Sequence, residues 1–292
     1  MRNTFISLAL LTALAACDAP ERRAAAEAEA KAAVPSPESI VTAYHIGNAG
    51  VMIKRGDTKI LFDPLYRNGY NNYHLVPEAV KADVMAGKAP YDNINAILIS
   101  HAHGDHFDAE DMVLYHQANP ETLIIAPPQA IEEIEKTGKV NEAFRARFVP
   151  MGLDYGADPL SVQFEGLSVE AVRIPHAGGP ARRGLENLVY RVTLEGEATV
   201  MHMGDADPAL EHYSPYQAHW QAQRTGTAFP PYWFFLSAQG TQIVDEVLNT
   251  QDAIGVHVPV EIPDGLVASG RSFFGDPGSV QTLRPEAVEP IE

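Results

Sequence analysis

The stretch that decides the fold is His101-Ala102-His103-Gly104-Asp105-His106. It follows residues 94–100, Ile-Asn-Ala-Ile-Leu-Ile-Ser, an apolar run of strand length that reads as buried. Histidines at alternate positions leave a strand end on the same side. Gly104 then permits a sharp turn, and Asp105 and His106 stand on that turn ahead of a predicted helix over residues 109–116. Four side chains able to bind a metal are thereby gathered within six residues. Neutral imidazole and carboxylate are the ligands that zinc and related divalent ions take. The bland alternative is a polar loop that holds three histidines by chance. It is weakened by how uncommon histidine is, at 11 in 292 residues.

Working outward, further candidates close other apolar runs. Asp63 follows residues 59–62, His176 follows residues 167–175, Asp205 follows residues 199–204, and His257 follows residues 253–256. Strand ends are where a sheet scaffold places site residues. As bare residues, Asp63 also suits a turn and His176 a loop.

A His-x-His-x-Asp-His motif after a strand, with later candidates in this order, resembles the metallo-β-lactamase superfamily over roughly residues 40–264. The resemblance implies an α+β fold, the four-layer αββα sandwich. From composition and pattern alone, only mixed α and β structure follows. The resemblance also implies a ligand set. His101, His103 and His176 would hold one metal, Asp105, His106 and His257 a second, and Asp205 would bridge them. Asp63 would orient a histidine ligand, and Asp105 would in addition act in catalysis by steering or accepting a proton. The implied cofactors are two divalent ions, Zn2+ by default with Mn2+ or Fe2+ open.

The activity implied is hydrolysis of a small ester, lactone, thioester or phosphodiester by a dinuclear-metal-bound hydroxide. The closest branch is the ascorbate-6-phosphate lactonase-like one. Oxygen-reducing di-iron members carry glutamate where this chain has His103. True β-lactamases generally carry cysteine or serine in the region of Asp205. The alternatives are therefore a β-lactam hydrolase and a non-catalytic binding lipoprotein on the same fold. The latter would be expected to have lost ligands.

Composition adds bounds. A length of 292 residues and a hydrophobic fraction of 46% suit a globular core. A net charge of −17 argues against nucleic acid as partner and leaves a small-molecule substrate. The single cysteine, Cys17, excludes an intrachain disulfide and a thiolate cluster. No Gly-x-Ser-x-Gly elbow is present, which counts against a serine hydrolase.

Residues 1–16 read as a signal peptide: Arg2, then an apolar core over residues 5–14 that is too short to span a membrane. Leu14-Ala15-Ala16-Cys17 resembles the lipobox of bacterial lipoproteins, which implies cleavage before Cys17 and lipidation of it. An ordinary signal peptide cut after Ala16 is the alternative. Residues 17–39 would then be the lipidated cysteine and an Ala/Glu/Pro tether, and residues 40–292 the catalytic domain. The expected location is the periplasmic side of a membrane, held by the lipid anchor.

Along the domain, residues 41–46 and 51–54 read as a hairpin turned at Gly47-Asn48. Residues 66–90 form a long connection holding Tyr66, Tyr70, Tyr73, His74 and a helix near residues 78–85. Its aromatics either line a pocket or pack on the sheet, and His74 reads as a surface histidine. Strands are expected over residues 123–126, 144–149, 162–164, 169–174, 188–194, 198–203, 230–236 and 253–258, with a short edge strand over 279–283. Helices are expected over residues 129–136, from Asp207-Pro208 onward, and over 239–248. His202 reads as a buried, hydrogen-bonded histidine. Arg182 and Arg183 read as solvated charges; facing a cleft, they would hold a carboxylate or phosphate.

Overall fold

The computed structural model describes residues 39–284. The expected signal peptide, Cys17 and the tether up to residue 38 lie outside the described residues.

The chain opens with a meander, β1 (Val41–Gly47), β2 (Gly50–Arg55) and β3 (Thr58–Phe62). A helix, α1 (Glu78–Met85), leads to β4 (Ala96–Leu98). Then come α2 (Ala109–Ala118), β5 (Leu123–Ala126), α3 (Pro128–Lys136), the short α4 (Glu142–Arg145) and β6 (Phe148–Pro150). A second meander follows: β7 (Leu160–Phe164), β8 (Leu167–Arg173), β9 (Leu188–Leu194) and β10 (Ala198–His202). Beyond it lie α5 (Gln217–Ala222), β11 (Thr225–Phe229), α6 (Ala238–Gln242), β12 (Thr250–Gly255), α7 (Asp264–Ala268), β13 (Ser272–Phe273) and β14 (Val280–Thr282).

Two seven-stranded mixed sheets result, in the orders β14-β1-β2-β3-β4-β5-β6 and β13-β12-β11-β10-β9-β8-β7. In each, antiparallel hairpins give way to parallel strands: β3 through β6 in the first, β10 through β13 in the second. Helices must make those parallel crossovers, and they cover the outer faces. Both faces of the central strands are therefore buried, and the runs in β3 and β9 are covered at every position.

Three apolar layers separate the four structural ones. Phe62, Leu98, Tyr190, Phe229 and Ile254 belong to the core between the sheets. Met112, Tyr115, Ile134 and Phe144 pack helices on the first sheet. Trp220, Phe234, Ile243 and Leu266 do so on the second. This is the αββα sandwich. Each fully buried large side chain contributes about 1.5–3 kcal/mol. Arg55 of β2 reaches Glu195 and Glu197 in the β9–β10 turn and ties one sheet to the other.

Several elements differ from the sequence-based expectation. Residues 230–236 are not a strand. The strand is β11, and Pro230-Pro231 ends it because proline offers no N–H to a ladder. A 3-10 helix, Tyr232–Leu236, follows and buries Phe234 and Phe235. Asp207-Pro208 starts no α-helix. The Asp207 carboxylate accepts from Ala209 N–H at 3.0 Å, and two 3-10 turns, Leu210–His212 and Ser214–Tyr216, precede α5. Residues 144–149 divide between α4, capped by the Asn141 side chain on Phe144 N–H, and β6. The helix expected over residues 239–248 is α6 continued by a π turn, Ile243–Val247.

Candidate metal centre

The site lies where strands of both sheets run out. Asp63 follows β3, His101 to His106 follow β4, His176 follows β8, Asp205 follows β10 and His257 follows β12. Backbone hydrogen bonds join the two halves here. Leu188 N–H donates to Ser100 O at 2.9 Å, and His257 N–H to Asn48 O at 3.1 Å. His176 and Asp205 are held in register by Ala177 N–H on Asp205 O at 2.7 Å.

Seven residues converge in two groups with Asp205 common to both. His101, His103, His176 and Asp205 form one; Asp105, His106, Asp205 and His257 form the other. The ligand atoms within each group lie within 4.8 Å of one another, and all but those of half-buried His103 belong to buried residues. The two oxygens of Asp205 divide between the groups. Oδ2 lies 3.2 Å from His176 Nε2 and 4.0 Å from His101 Nε2. Oδ1 lies 3.1 Å from His106 Nε2 and 3.2 Å from His257 Nε2. His176 Nε2 is 3.0 Å from His103 Nδ1, and Asp105 Oδ2 is 3.2 Å from His257 Nε2.

These spacings fit metal ligation. Ligands about 2.0–2.1 Å from one tetrahedral ion stand about 3.3 Å apart. The Nε2 atoms of His101, His106 and His257 and Oδ1 of Asp205 are buried and have no hydrogen-bond partner in the protein. Orphaned buried polar atoms are costly, and a divalent cation in each of the two groups would satisfy them.

The imidazole tautomers are set from behind. His106 Nδ1–H donates to Asp63 Oδ2 at 2.8 Å, which leaves Nε2 as the lone-pair nitrogen. Asp63 also accepts from Ser100 N–H at 2.7 Å and Ser100 Oγ–H at 2.6 Å. Ser100 Oγ in turn faces His101 Nδ1 at 3.0 Å, so one carboxylate orients two ligands. His176 Nδ1–H donates to Ala177 O at 2.6 Å. His202, close to the site, is locked otherwise. Its Nε2–H donates to Ala49 O at 2.8 Å and its ring stacks on Phe62, a structural role.

The electrostatics separate the groups. Burial drives His101 well below the ordinary imidazole pKa, and His106 beside it adds to the effect. Burial and His176 lower His103 to about 4. Both are neutral imidazoles. Burial also disfavours charge on His106 and His257, but the carboxylates beside them together outweigh it, Asp205 with Asp63 at His106 and Asp205 with Asp105 at His257, so their pKa values rise. Asp205 is held well below the carboxylate range by His257 and His106, against its own desolvation. Asp105 is likewise lowered, burial being overcome by His257, 3.2 Å from its Oδ2, and by His106. Metal uptake by this second group would displace protons.

Several contributors gave no sequence signal. Asn48 Nδ2–H donates to Asp105 O at 2.9 Å and so links the β1–β2 turn to the motif. Asn187 accepts Asp205 N–H at 2.9 Å. Tyr73 and Trp233 wall the cleft over His257 at 4.1 Å and 5.2 Å between ring centroids. Burial and Asp205 push the Tyr73 hydroxyl up to about 12, so it is a neutral donor at neutral pH. Of the other aromatics in the long connection, Tyr66 is buried with its hydroxyl donating to His74 O at 2.6 Å, and Tyr70 is exposed. The two arginines part company. Arg182 lines the metal cleft with Tyr73, His176 and Trp233, whereas Arg183 lines a separate cavity with Arg173 and Glu211.

Comparison with known proteins agrees with this fold. Protein Rv0786c of Mycobacterium tuberculosis is 28% identical over 165 residues, 56% of this chain. The chain spans 62% of that protein's length. The structure is similar to Igni18, a metallo hydrolase from Ignicoccus hospitalis, with TM-score 0.56 and 15% identity over 85% of this chain and 100% of that one. It is also similar to YhfI, a metallo-beta-lactamase fold protein from Bacillus subtilis, with TM-score 0.53 and 14% identity over 83% of this chain and 99% of that one. Residues 58–217, more than half of the chain, match the beta-lactamase superfamily domain. With the fold of these proteins and two adjacent buried His/Asp clusters consistent with a dinuclear metal site, the chain belongs to the beta-lactamase superfamily.

Proposed function

We propose that the protein is an exported, lipid-anchored, metal-dependent hydrolase of a small ester, lactone, thioester or phosphodiester. The observation that carries the catalytic part is the division of Asp205 between two ligand groups, with one oxygen facing each. His101, His103 and His176 would hold one ion and Asp105, His106 and His257 the other, with Asp205 linking them. Two divalent ions held there would supply an activated water at neutral pH and would polarise the scissile bond; zinc suits the donor set, with manganese or iron also compatible.

The chain's own residues do the rest. Asp63 and Ser100 keep the lone pairs of His106 and His101 turned into the cleft. Asp105, held by Asn48 and facing His257, is placed to steer the attacking water or take its proton. Tyr73 offers a neutral hydroxyl toward the cleft, and Trp233, fixed by its Nε1–H on Ala206 O at 3.1 Å, closes one wall against water.

Within the superfamily, the ascorbate-6-phosphate lactonase-like branch is the nearest in motif, and we assign the chain to it. Asp205, where true β-lactamases carry cysteine or serine, supports a substrate other than a β-lactam. The test is a turnover screen of metal-loaded protein on lactones, thioesters, phosphodiesters and β-lactams. Turnover in the first three classes, abolished by chelation, is expected. Efficient β-lactam hydrolysis alone, near about 10⁶ M⁻¹s⁻¹, would overturn the assignment.

Export and anchoring rest on the signal-like residues 1–16 and on Cys17 as the sole cysteine at a lipobox position. Among the described residues no helix is long and apolar enough to cross a membrane. Cys17→Ser is expected to release the protein from salt-washed membranes. A variant that still fractionates with them would contradict the anchor.

A further inference from the structure

The metal cleft, about 240 Å³, carries one cation that metal ligation does not use. Arg182 ends a 3-10 turn, Pro180–Arg182, just beyond His176, and it borders the cleft together with His176, Asp205, Tyr73 and Trp233. Among the described residues no carboxylate pairs with it. Its neighbour in the sequence, Arg183, is turned into the separate cavity that contains Glu211.

The side chain is also seated. Arg182 lies across Gly178, where a Cβ would stand 3.0 Å from its Cδ and 3.1 Å from its Nε. Gly178 has φ +103, a conformation that side-chain-bearing residues rarely adopt. The absence of a side chain at this position therefore allows both the turn and the bed on which the guanidinium rests. An arginine laid on backbone loses less freedom when it binds than one in open solvent.

Charge accounting gives the same sign. Asp105 and Asp205 are the carboxylates among the seven converging residues. Together with Asp63 behind His106 and a metal-bound hydroxide, they would balance two divalent ions, so the positive charge of the cleft would come from Arg182. The chain as a whole carries −17, so selection of an anion has to be local to this cleft.

Building on the hydrolase reading, we propose that Arg182 is a specificity residue which receives an oxyanion group, carboxylate or phosphate, carried by the substrate away from its scissile bond. The guanidinium fork matches such a group bidentately. Tyr73 and Trp233 face the flat or apolar part of the same molecule. The scissile bond then lies toward Asp205 and His257.

The kinetic test compares two acyl chains of equal length on metal-loaded protein, p-nitrophenyl hemisuccinate and p-nitrophenyl butyrate. Wild type is expected to prefer the anionic ester. Arg182→Gln should lower the ratio of kcat/KM values, anionic over neutral, by about 10- to 100-fold, the range of a charge-assisted hydrogen bond. The loss should appear mainly in KM, and Arg182→Lys should recover part of it. Arg183→Gln, in the other cavity, should leave the ratio in place.

A binding arm reads tryptophan fluorescence on adding benzoate or phenylphosphonate to the same proteins, because Trp233 borders the cleft. Weaker binding of either probe by Arg182→Gln supports the proposal, and the weakened probe identifies the preferred oxyanion. An unchanged ester ratio with unchanged binding of both probes overturns it. If neither ester is turned over, the binding arm alone decides the role of Arg182, and the hydrolase reading is decided by the screen of lactones, thioesters and phosphodiesters.

Discussion

Asp63 shows how much one side chain governs. It is buried, sits at φ +43, and accepts from His106, Ser100 N–H and Ser100 Oγ–H at once. Asparagine tolerates the left-handed region nearly as well as aspartate. Asp63→Asn therefore keeps the backbone while replacing an acceptor oxygen with an NH2 group on one side. If that NH2 faces His106, Nδ1 has to become the acceptor and the proton moves to Nε2, the ligand nitrogen. The expected outcome is a 10- to 100-fold loss of affinity for the second ion, read by competition with a chelator. Unchanged affinity would remove Asp63 from the account. The seven converging residues and Asp63 were legible because each is a chemically distinctive side chain at or just beyond the end of an apolar run. Ser100, Asn48 and Asn187 were not. Their side chains act through contacts made 37, 57 and 18 residues away, and no local pattern marks such a contact.

At the scale of elements, α2 carries the motif's far side, and a charge cluster fixes it. Asp108 caps its first turn by accepting Asp111 N–H at 2.9 Å. Asp111 is buried and accepts from Arg67 at 2.6 Å and from Lys81 of α1. Burial opposes the charge on Asp111, but Arg67 and Lys81 overcome it and lower its pKa below the ordinary 3.8. Because the folded-state value is depressed, this contribution is complete above the unfolded value and is lost as pH falls through the folded one. Asp111→Asn is expected to cost about 2 kcal/mol at pH 7, from weakened charge-assisted hydrogen bonds. The gap from wild type should close as acid protonates the wild-type carboxylate, as followed by urea unfolding between pH 7 and 2. A gap independent of pH would mean that the carboxylate charge contributes nothing.

Element boundaries were read well where caps and turns are local, as in α1, whose range of residues 78–85 is as expected from sequence. They were missed where composition and geometry conflict. The run Tyr-Trp-Phe-Phe-Leu has strand-like composition, yet Pro230-Pro231 interrupts the ladder, and of the run Tyr232 N–H still pairs, with Val256 O at 2.9 Å. The result is a 3-10 turn that places Trp233 on the cleft while burying Phe234 and Phe235. Pattern also left open whether Tyr66 and Tyr73 pack or line a pocket. The structure assigns one to each use, because the loop returns over His257, with Tyr73 bridged to Pro259.

At the scale of the whole molecule, neither sheet holds a complete ligand set. The first supplies the residues from Asp63 to His106, and the second supplies His176, Asp205 and His257. Each proposed ion would therefore clamp one sheet to the other, with Asp205 common to both groups. The central claim is that this shared carboxylate organises two metal positions. It is tested most directly by metal content per chain after zinc loading and removal of loosely bound ions. The account predicts two equivalents for the wild type and about one for His257→Ala, which leaves the group of His101, His103, His176 and Asp205 intact. A firm value of one or none in the loaded wild type would contradict it.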